Sequence, residues 1–161
     1  ILSIATFSLY SVAQDTESKG KTIPSVTLKD MEGKVINTAE LGLKGPIVFS
    51  FWATWCAPCK RELNTIHDLY TDWQEETGVT IVAVSIDDEK TKNNVPVYVN
   101  GKSWEYLVLM DPNGDFKRAM GVNNVPHTFL VDENGIIVYP HNSYAPGDEE
   151  ILYQKILELK K

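Results

Sequence analysis

Apolar and polar positions change period several times along the chain, and each change marks an element. Residues 25–29 and 34–36 alternate around the turn-rich Asp30-Met31-Glu32-Gly33, which predicts a β-hairpin. Residues 46–53 are almost continuously apolar, the pattern of a central parallel strand covered on both faces. From residue 57 onward, Cys59, Leu63, Ile66, Tyr70 and Trp73 recur at alternating spacings of four and three. That stripe predicts an amphipathic helix running to about Thr77, with Gly78 as its C-cap. Residues 79–86 repeat the buried-strand pattern, so residues 46–86 read as one βαβ unit with a right-handed crossover.

The second half is read the same way. Asp87 and Asp88 suggest a helix start, while Pro96 and Gly101 limit residues 87–101 to a short, irregular helix. Residues 106–110 predict a third strand, closed by Asp111-Pro112-Asn113-Gly114, and residues 116–120 a helical turn or two. Residues 128–131 and 136–139, joined by Asp132-Glu133-Asn134-Gly135, predict a second hairpin. Residues 149–160 predict a closing amphipathic helix with Ile151, Leu152, Ile156 and Leu159 facing inward. The whole is an α/β pattern without internal repeats.

Composition adds bounds. A chain of 161 residues, 43% hydrophobic and 23% charged, is the size and make-up of one globular domain with a sizeable core. Its net charge of −7, with no strong basic cluster, argues against a nucleic-acid surface. Residues 1–13 form an apolar run ending in Ser11-Val12-Ala13, with small residues where a signal peptidase inspects them. The run is too short to span a bilayer. It reads as the tail of a secretory signal, followed by a polar, flexible leader to Lys21 and a domain over residues 22–161.

The chemistry is concentrated at the predicted strand-to-helix junction, Phe51-Trp52-Ala53-Thr54-Trp55-Cys56-Ala57-Pro58-Cys59-Lys60, which holds the only two cysteines. In a βαβ setting this C-x-x-C reads as a redox pair. A structural zinc site needs four ligands, and there is no second cysteine pair. An inert buried pair is the other reading; the aromatic-rich strand before it, and Pro58 and Lys60 around the second thiol, argue against that. The thiolate is the nucleophile, and at a helix start unpaired N–H groups and the dipole favour negative charge on Cys56. Pro58 suits the first turn, where its missing N–H costs nothing. Cys59, one turn further in, would resolve the mixed disulfide.

The junction resembles the active-site signature of the thioredoxin superfamily. Val125-Pro126-His127-Thr128-Phe129-Leu130-Val131-Asp132 resembles its second element, a loop with a cis proline opposite the dithiol. The hairpin, the export-like leader and the insert at 87–105 are similar to the extracytoplasmic TlpA/ResA-type branch. The resemblance covers residues 22–160. It implies a thioredoxin-like fold: a central mixed sheet flanked by helices, with an added N-terminal β-hairpin and an insert after the βαβ unit. It also implies a cis Pro126 that leaves the Val125 backbone free to pair with an extended substrate, and a groove formed by Trp55, Val125, Pro126 and His127. Trp52 would share in shaping the rim or lie in the core.

One departure bears on proton transfer. Thioredoxin carries a buried Asp six residues before its first cysteine, and here that position is Ser50. Glu62, three residues past Cys59 and on the same helix face, is the candidate to deprotonate it, since ResA-type proteins carry an acid there. A solvated Glu62 paired with a lysine is the alternative. Ala57 and Pro58 offer no His to stabilise the thiolate, and one such contact is worth about 1.5–3 kcal/mol, or about 30–65 mV. The resemblance therefore implies a periplasmic or otherwise extracytoplasmic protein-disulfide reductase, catalytic through Cys56, Cys59 and Glu62, with no cofactor and no metal. Its expected partners are disulfide-bearing exported proteins such as apocytochrome c, and a membrane thiol reductant as electron donor; a monomer is expected. Two other readings stay open: a copper-binding redox chaperone using Cys56, Cys59 and His127, and a thiol peroxidase, for which Thr54 is the one hydroxyl beside the cysteine.

Overall fold

The structure, a computed structural model, describes residues 17–160. One sheet contains β1 (Thr27–Asp30), β2 (Val35–Asn37), β3 (Ile47–Trp52), β4 (Thr80–Ser85), β5 (Leu107–Met110), β6 (His127–Val131) and β7 (Ile137–Asn142). Among the described residues the long helices are α1 (Ala57–Thr77), α2 (Asn94–Lys102) and α4 (Asp148–Glu158), with the short α3 (Asp115–Ala119) between β5 and β6. The strand order is β2-β1-β5-β4-β3-β6-β7. β3, β4 and β5 are parallel, whereas β1 pairs antiparallel with β5, and β6 with β3. This is a mixed sheet with the expected hairpin on one edge and α2 as the insert after the βαβ unit.

Alternation along the strands gives the sheet two different faces. Val48 and Trp52 of β3 and Leu130 of β6 point toward Leu63, Ile66 and Tyr70 of α1, Val95 and Val99 of α2, and Leu152 and Ile156 of α4. Phe49, Phe51, Phe129 and Val131 point the other way, against Phe116 of α3 and Leu28 of the hairpin. The parity fixes which later residues can meet: Ser50 and Thr128 belong to the α1 face, His127 to the α3 face.

Three sequence expectations need correction. Ile151 and Leu159 do not face inward; they are 50% and 37% exposed, and α4 buries only Leu152 and Ile156. Ile151 is turned away from its neighbour by one helical step, and Leu159 is the C-cap. The leader is not free up to Lys21, because Gly20, Lys21 and Ile23 exchange backbone hydrogen bonds with residues 135–137 at the start of β7. The signal-like run, residues 1–13, lies outside the described residues. β7 also continues to Asn142, three residues beyond its apolar stretch.

The entry to β3 and the exit from α1 pass each other closely. Gly78 closes α1 in the left-handed region (φ 71°), its N–H donating to the Gln74 carbonyl. Gly45 (φ 89°) lies against it, and a Cβ there would sit 2.9 Å from the Gly78 carbonyl oxygen. Gly45→Ala is therefore expected to destabilise by about 1–3 kcal/mol, seen as a lower urea midpoint with an unchanged m-value.

Candidate active site

β3 delivers the chain to α1 through residues 53–56, and this short loop is held from below. The Thr54 N–H donates to the Asp87 Oδ2 at 2.9 Å, the Thr54 hydroxyl donates to Asp87 Oδ1, and the Ser85 hydroxyl donates to Asp87 Oδ2 at 2.8 Å. Asp87 is fully buried just beyond the end of β4. It therefore starts no helix, contrary to the reading of its sequence; α2 begins at Asn94. The sequence does hold a signal for its role, an acid directly after a buried parallel strand, at the strand end where α/β sheets place their sites.

Cys56 is the N-cap of α1, in extended backbone conformation (φ −100°, ψ 102°), and its Sγ accepts from the Cys59 N–H at 3.3 Å. Pro58 stands in the first turn. Cys56 and Cys59 are joined by a disulfide, so the described state is the oxidised one. The two sulfurs are not equivalent: Cys56 retains 6% exposure and Cys59 none. Trp55, directly before them, is 61% exposed, whereas Trp52 is wholly core.

The Val125–Pro126 peptide is cis. Pairing of Phe51 with His127 across β3 and β6 sets Pro126 level with Trp52, at the sheet end where the dithiol loop begins. Val125 packs against the cluster that contains both cysteines. Among the described residues its backbone N–H and C=O make no backbone hydrogen bond, so both stay available to an extended partner.

Glu62 is buried on the inner face of α1, one turn beyond Cys59. The solvated alternative falls with that burial. The Thr128 hydroxyl donates to Glu62 Oε1 at 2.9 Å, and Oε2 has no hydrogen-bond partner among the described residues. Ser50 pairs with Thr128 in the sheet, so the strand position that lacks an acid and the helix position that carries one meet on the same side. Burial pushes the Glu62 carboxyl up to about 8; the Thr128 hydrogen bond opposes this, and the Asp148 and Glu149 charges add to it.

His127 is placed differently from its expectation. Its ring is buried on the α3 face, stacked on Phe129 at 4.3 Å between centroids, and burial lowers its pKa to about 4. The imidazole thus offers no groove surface beside Trp55, and it lies across the sheet from the dithiol and Glu62, which removes it as a third ligand in a copper site. Thr54, the hydroxyl on which a peroxidase reading leans, is engaged with Asp87.

Sequence reading missed the bracing of the insert. Trp104 packs on Trp52 at 4.9 Å and donates its Nε1–H to Asn64 Oδ1 at 2.8 Å, while Asn64 Nδ2 donates to the Tyr98 hydroxyl at 3.1 Å. One polar side chain of α1 thereby holds α2 and the segment after it. α1 itself carries Lys60 and Arg61 near its start and Glu75 and Glu76 in its last turn. Glu75 and Glu76, in the last turn, are set against the helix dipole, an arrangement that costs about 0.3–1 kcal/mol per charge.

A mixed sheet with a C-x-x-C disulfide capping its first long helix, and a cis proline level with it, defines a thioredoxin-like dithiol–disulfide protein. Residues 19–140 match the model of the AhpC/TSA family. The chain is 33% identical over 135 residues to the thiol-disulfide oxidoreductase ResA of Bacillus cereus, covering 82% of this chain and 76% of that one. Among solved structures, it is similar to an uncharacterized thioredoxin-like protein from Porphyromonas gingivalis (49% identity, TM-score 0.75, 85% and 90% of the two chains). It is also similar to a putative thiol:disulfide interchange protein DsbE from Chlorobium tepidum (28% identity, TM-score 0.78, 88% and 96%). The chain belongs to the AhpC/TSA family, within its ResA-like thiol-disulfide oxidoreductases.

The buried acid makes stability depend on pH. Folded Glu62 keeps its proton to about pH 8, whereas the unfolded carboxyl releases it near 4.5. Between those values the folded state binds more protons, so this stabilisation is full below the lower value and lost as pH rises through the upper one. The slope is at most about 1.4 kcal/mol per pH unit. Urea unfolding of the oxidised protein should show stability falling across this window, and Glu62→Gln should flatten the fall.

Proposed function

We propose that the chain is an extracytoplasmic protein-disulfide reductase, using Cys56 as attacking thiol, Cys59 as resolving thiol and Glu62 as the base that serves Cys59. The observation that carries this reading is the asymmetry of the pair: Cys56, the cap of α1, keeps 6% exposure, while Cys59 is fully buried one turn further in, on the face that also buries Glu62. The export-like run at residues 1–13 supports the location. The absence of a cationic contact from Ala57 and Pro58 supports the reducing direction.

The reaction starts from the dithiol. The Cys56 thiolate attacks one sulfur of a substrate disulfide, the S–S bond breaks, and the other substrate sulfur leaves as a thiolate that takes a proton. The ionised fraction of Glu62, which grows as pH rises toward about 8, takes the proton of Cys59, and Cys59 attacks Cys56 Sγ. The mixed disulfide breaks, the second substrate thiol is released, and the Cys56–Cys59 disulfide forms. Two electrons have passed to the substrate, and an external dithiol donor, expected in the membrane, must return two. An extended substrate would pair with the free Val125 backbone beside Pro126 and rest against Trp55. Disulfide-bearing exported proteins, apocytochrome c among them, are the substrates this reading names.

Cys59→Ser should hold partners as mixed disulfides on Cys56 that survive non-reducing electrophoresis and dissolve with reductant. Finding no trapped species in cells of the source would count against the reading. Glu62→Gln should slow resolution of the mixed disulfide by about 10²-fold near neutral pH while leaving the first attack nearly unchanged. Acid-quenched single turnovers separate the two steps, and the inflection near pH 8 in the second should vanish in the variant.

A further inference from the structure

The charges near the dithiol do not follow what helix stability asks for. α1 has no acid in its first turn and no base in its last; Lys60 and Arg61 stand near its positive end and Glu75 and Glu76 at its negative end. A third cation comes from another element: Lys102 in the last turn of α2 and Lys60 lie over the same Tyr98 ring, 6.0 and 5.2 Å from its centroid. Among the described residues, none of Lys60, Arg61 and Lys102 makes an ion pair.

The acids near this end keep their charge but are held in contacts of their own. Asp87 accepts from Thr54 and Ser85, Asp88 from the N–H groups of Lys90 and Thr91, and Glu149 from the Tyr144 hydroxyl. Glu89 pairs with Lys92, and Asp148 with His141. On a chain of net charge −7, Lys60 and Lys102, which share the Tyr98 ring, and Arg61 next to Lys60 are thus cations without an ion-pair partner, and Lys60 and Arg61 stand on the helix that Cys56 caps.

We propose that Lys60, Arg61 and Lys102 form a recognition surface that favours substrates whose target disulfide is flanked by acidic residues. The proposal rests on the dithiol-reductase reading and adds a substrate class to it. Free cations in a small area raise the local concentration of an acidic segment and speed its encounter with Cys56. Because these charges are at the surface, salt should weaken the preference.

The test uses two peptides of equal length, each closed by one disulfide, one flanked by Asp and Glu and the other by Lys. The second-order rate constant for oxidation of the reduced protein is measured with each, and their ratio is the readout. The same thiolate attacks both peptides, so any effect of Lys60 on Cys56 itself cancels in the ratio. At low salt the acidic peptide should react about tenfold faster, with the ratio approaching one at high salt. The combined variant Lys60→Gln, Arg61→Gln, Lys102→Gln should abolish the preference, and Lys102→Glu alone, far in sequence from the dithiol, should reduce it. Equal rates in the wild-type protein, or a ratio that survives in the combined variant, would overturn the proposal. No reaction with either peptide would instead overturn the dithiol reading and this surface with it.

Discussion

Three donors converge on one buried carboxylate. Thr54 offers its N–H and its hydroxyl, Ser85 its hydroxyl, and Asp87 accepts all three from a site with no water access. A hydrogen bond to a charged group contributes about 1.5–3 kcal/mol, and here the bonds also set position. They tie the loop leaving β3 to the end of β4, so the first turn of α1 starts at a fixed height above the sheet. Cys56 becomes its cap, Trp55 is turned outward, and Cys59 and Glu62 follow on the inner face by helical spacing alone.

That spacing puts an acid on the same helix face as the second thiol although β3 carries no carboxylate there. With Ser50 at the strand position, the carboxyl reaches the same pocket from α1 and is held there by Thr128, the sheet partner of Ser50. A strand-borne acid would depend on how helix and sheet pack. A helix-borne one keeps its relation to Cys59 as long as α1 stays helical. Its cost is the burial of a carboxyl with one oxygen unpartnered, which is tolerable because the group is neutral over most of the physiological range.

What the sequence discloses follows the reach of each interaction. The α1 stripe from Cys59 to Trp73, the Gly78 cap and the two hairpins are local patterns, and they are visible in the chain. The dithiol and Pro126 are legible because their residue types are specific to a chemistry and a turn. Ile151 and Leu159 were misplaced because periodicity says that a helix has an apolar side, not how wide a strip its neighbours cover. His127 was misplaced because adjacency to Pro126 in sequence says nothing of strand parity, which sends its ring through to the α3 face. Asp87 meeting Thr54, and Asn64 meeting Trp104, join residues 33 and 40 positions apart. No local pattern encodes such pairs.

The bracing of α2 divides labour within the molecule. Its inner residues, Val95 and Val99, are committed to the core, and Tyr98 and the following Trp104 are pinned by Asn64. Its outer side is open, with Val97 exposed. Substitutions on that outer side leave the anchoring contacts intact, so the segment can diversify while the reaction centre under it stays the same. The outward face of one short helix can thus change in shape and charge at no cost to the framework that positions the dithiol.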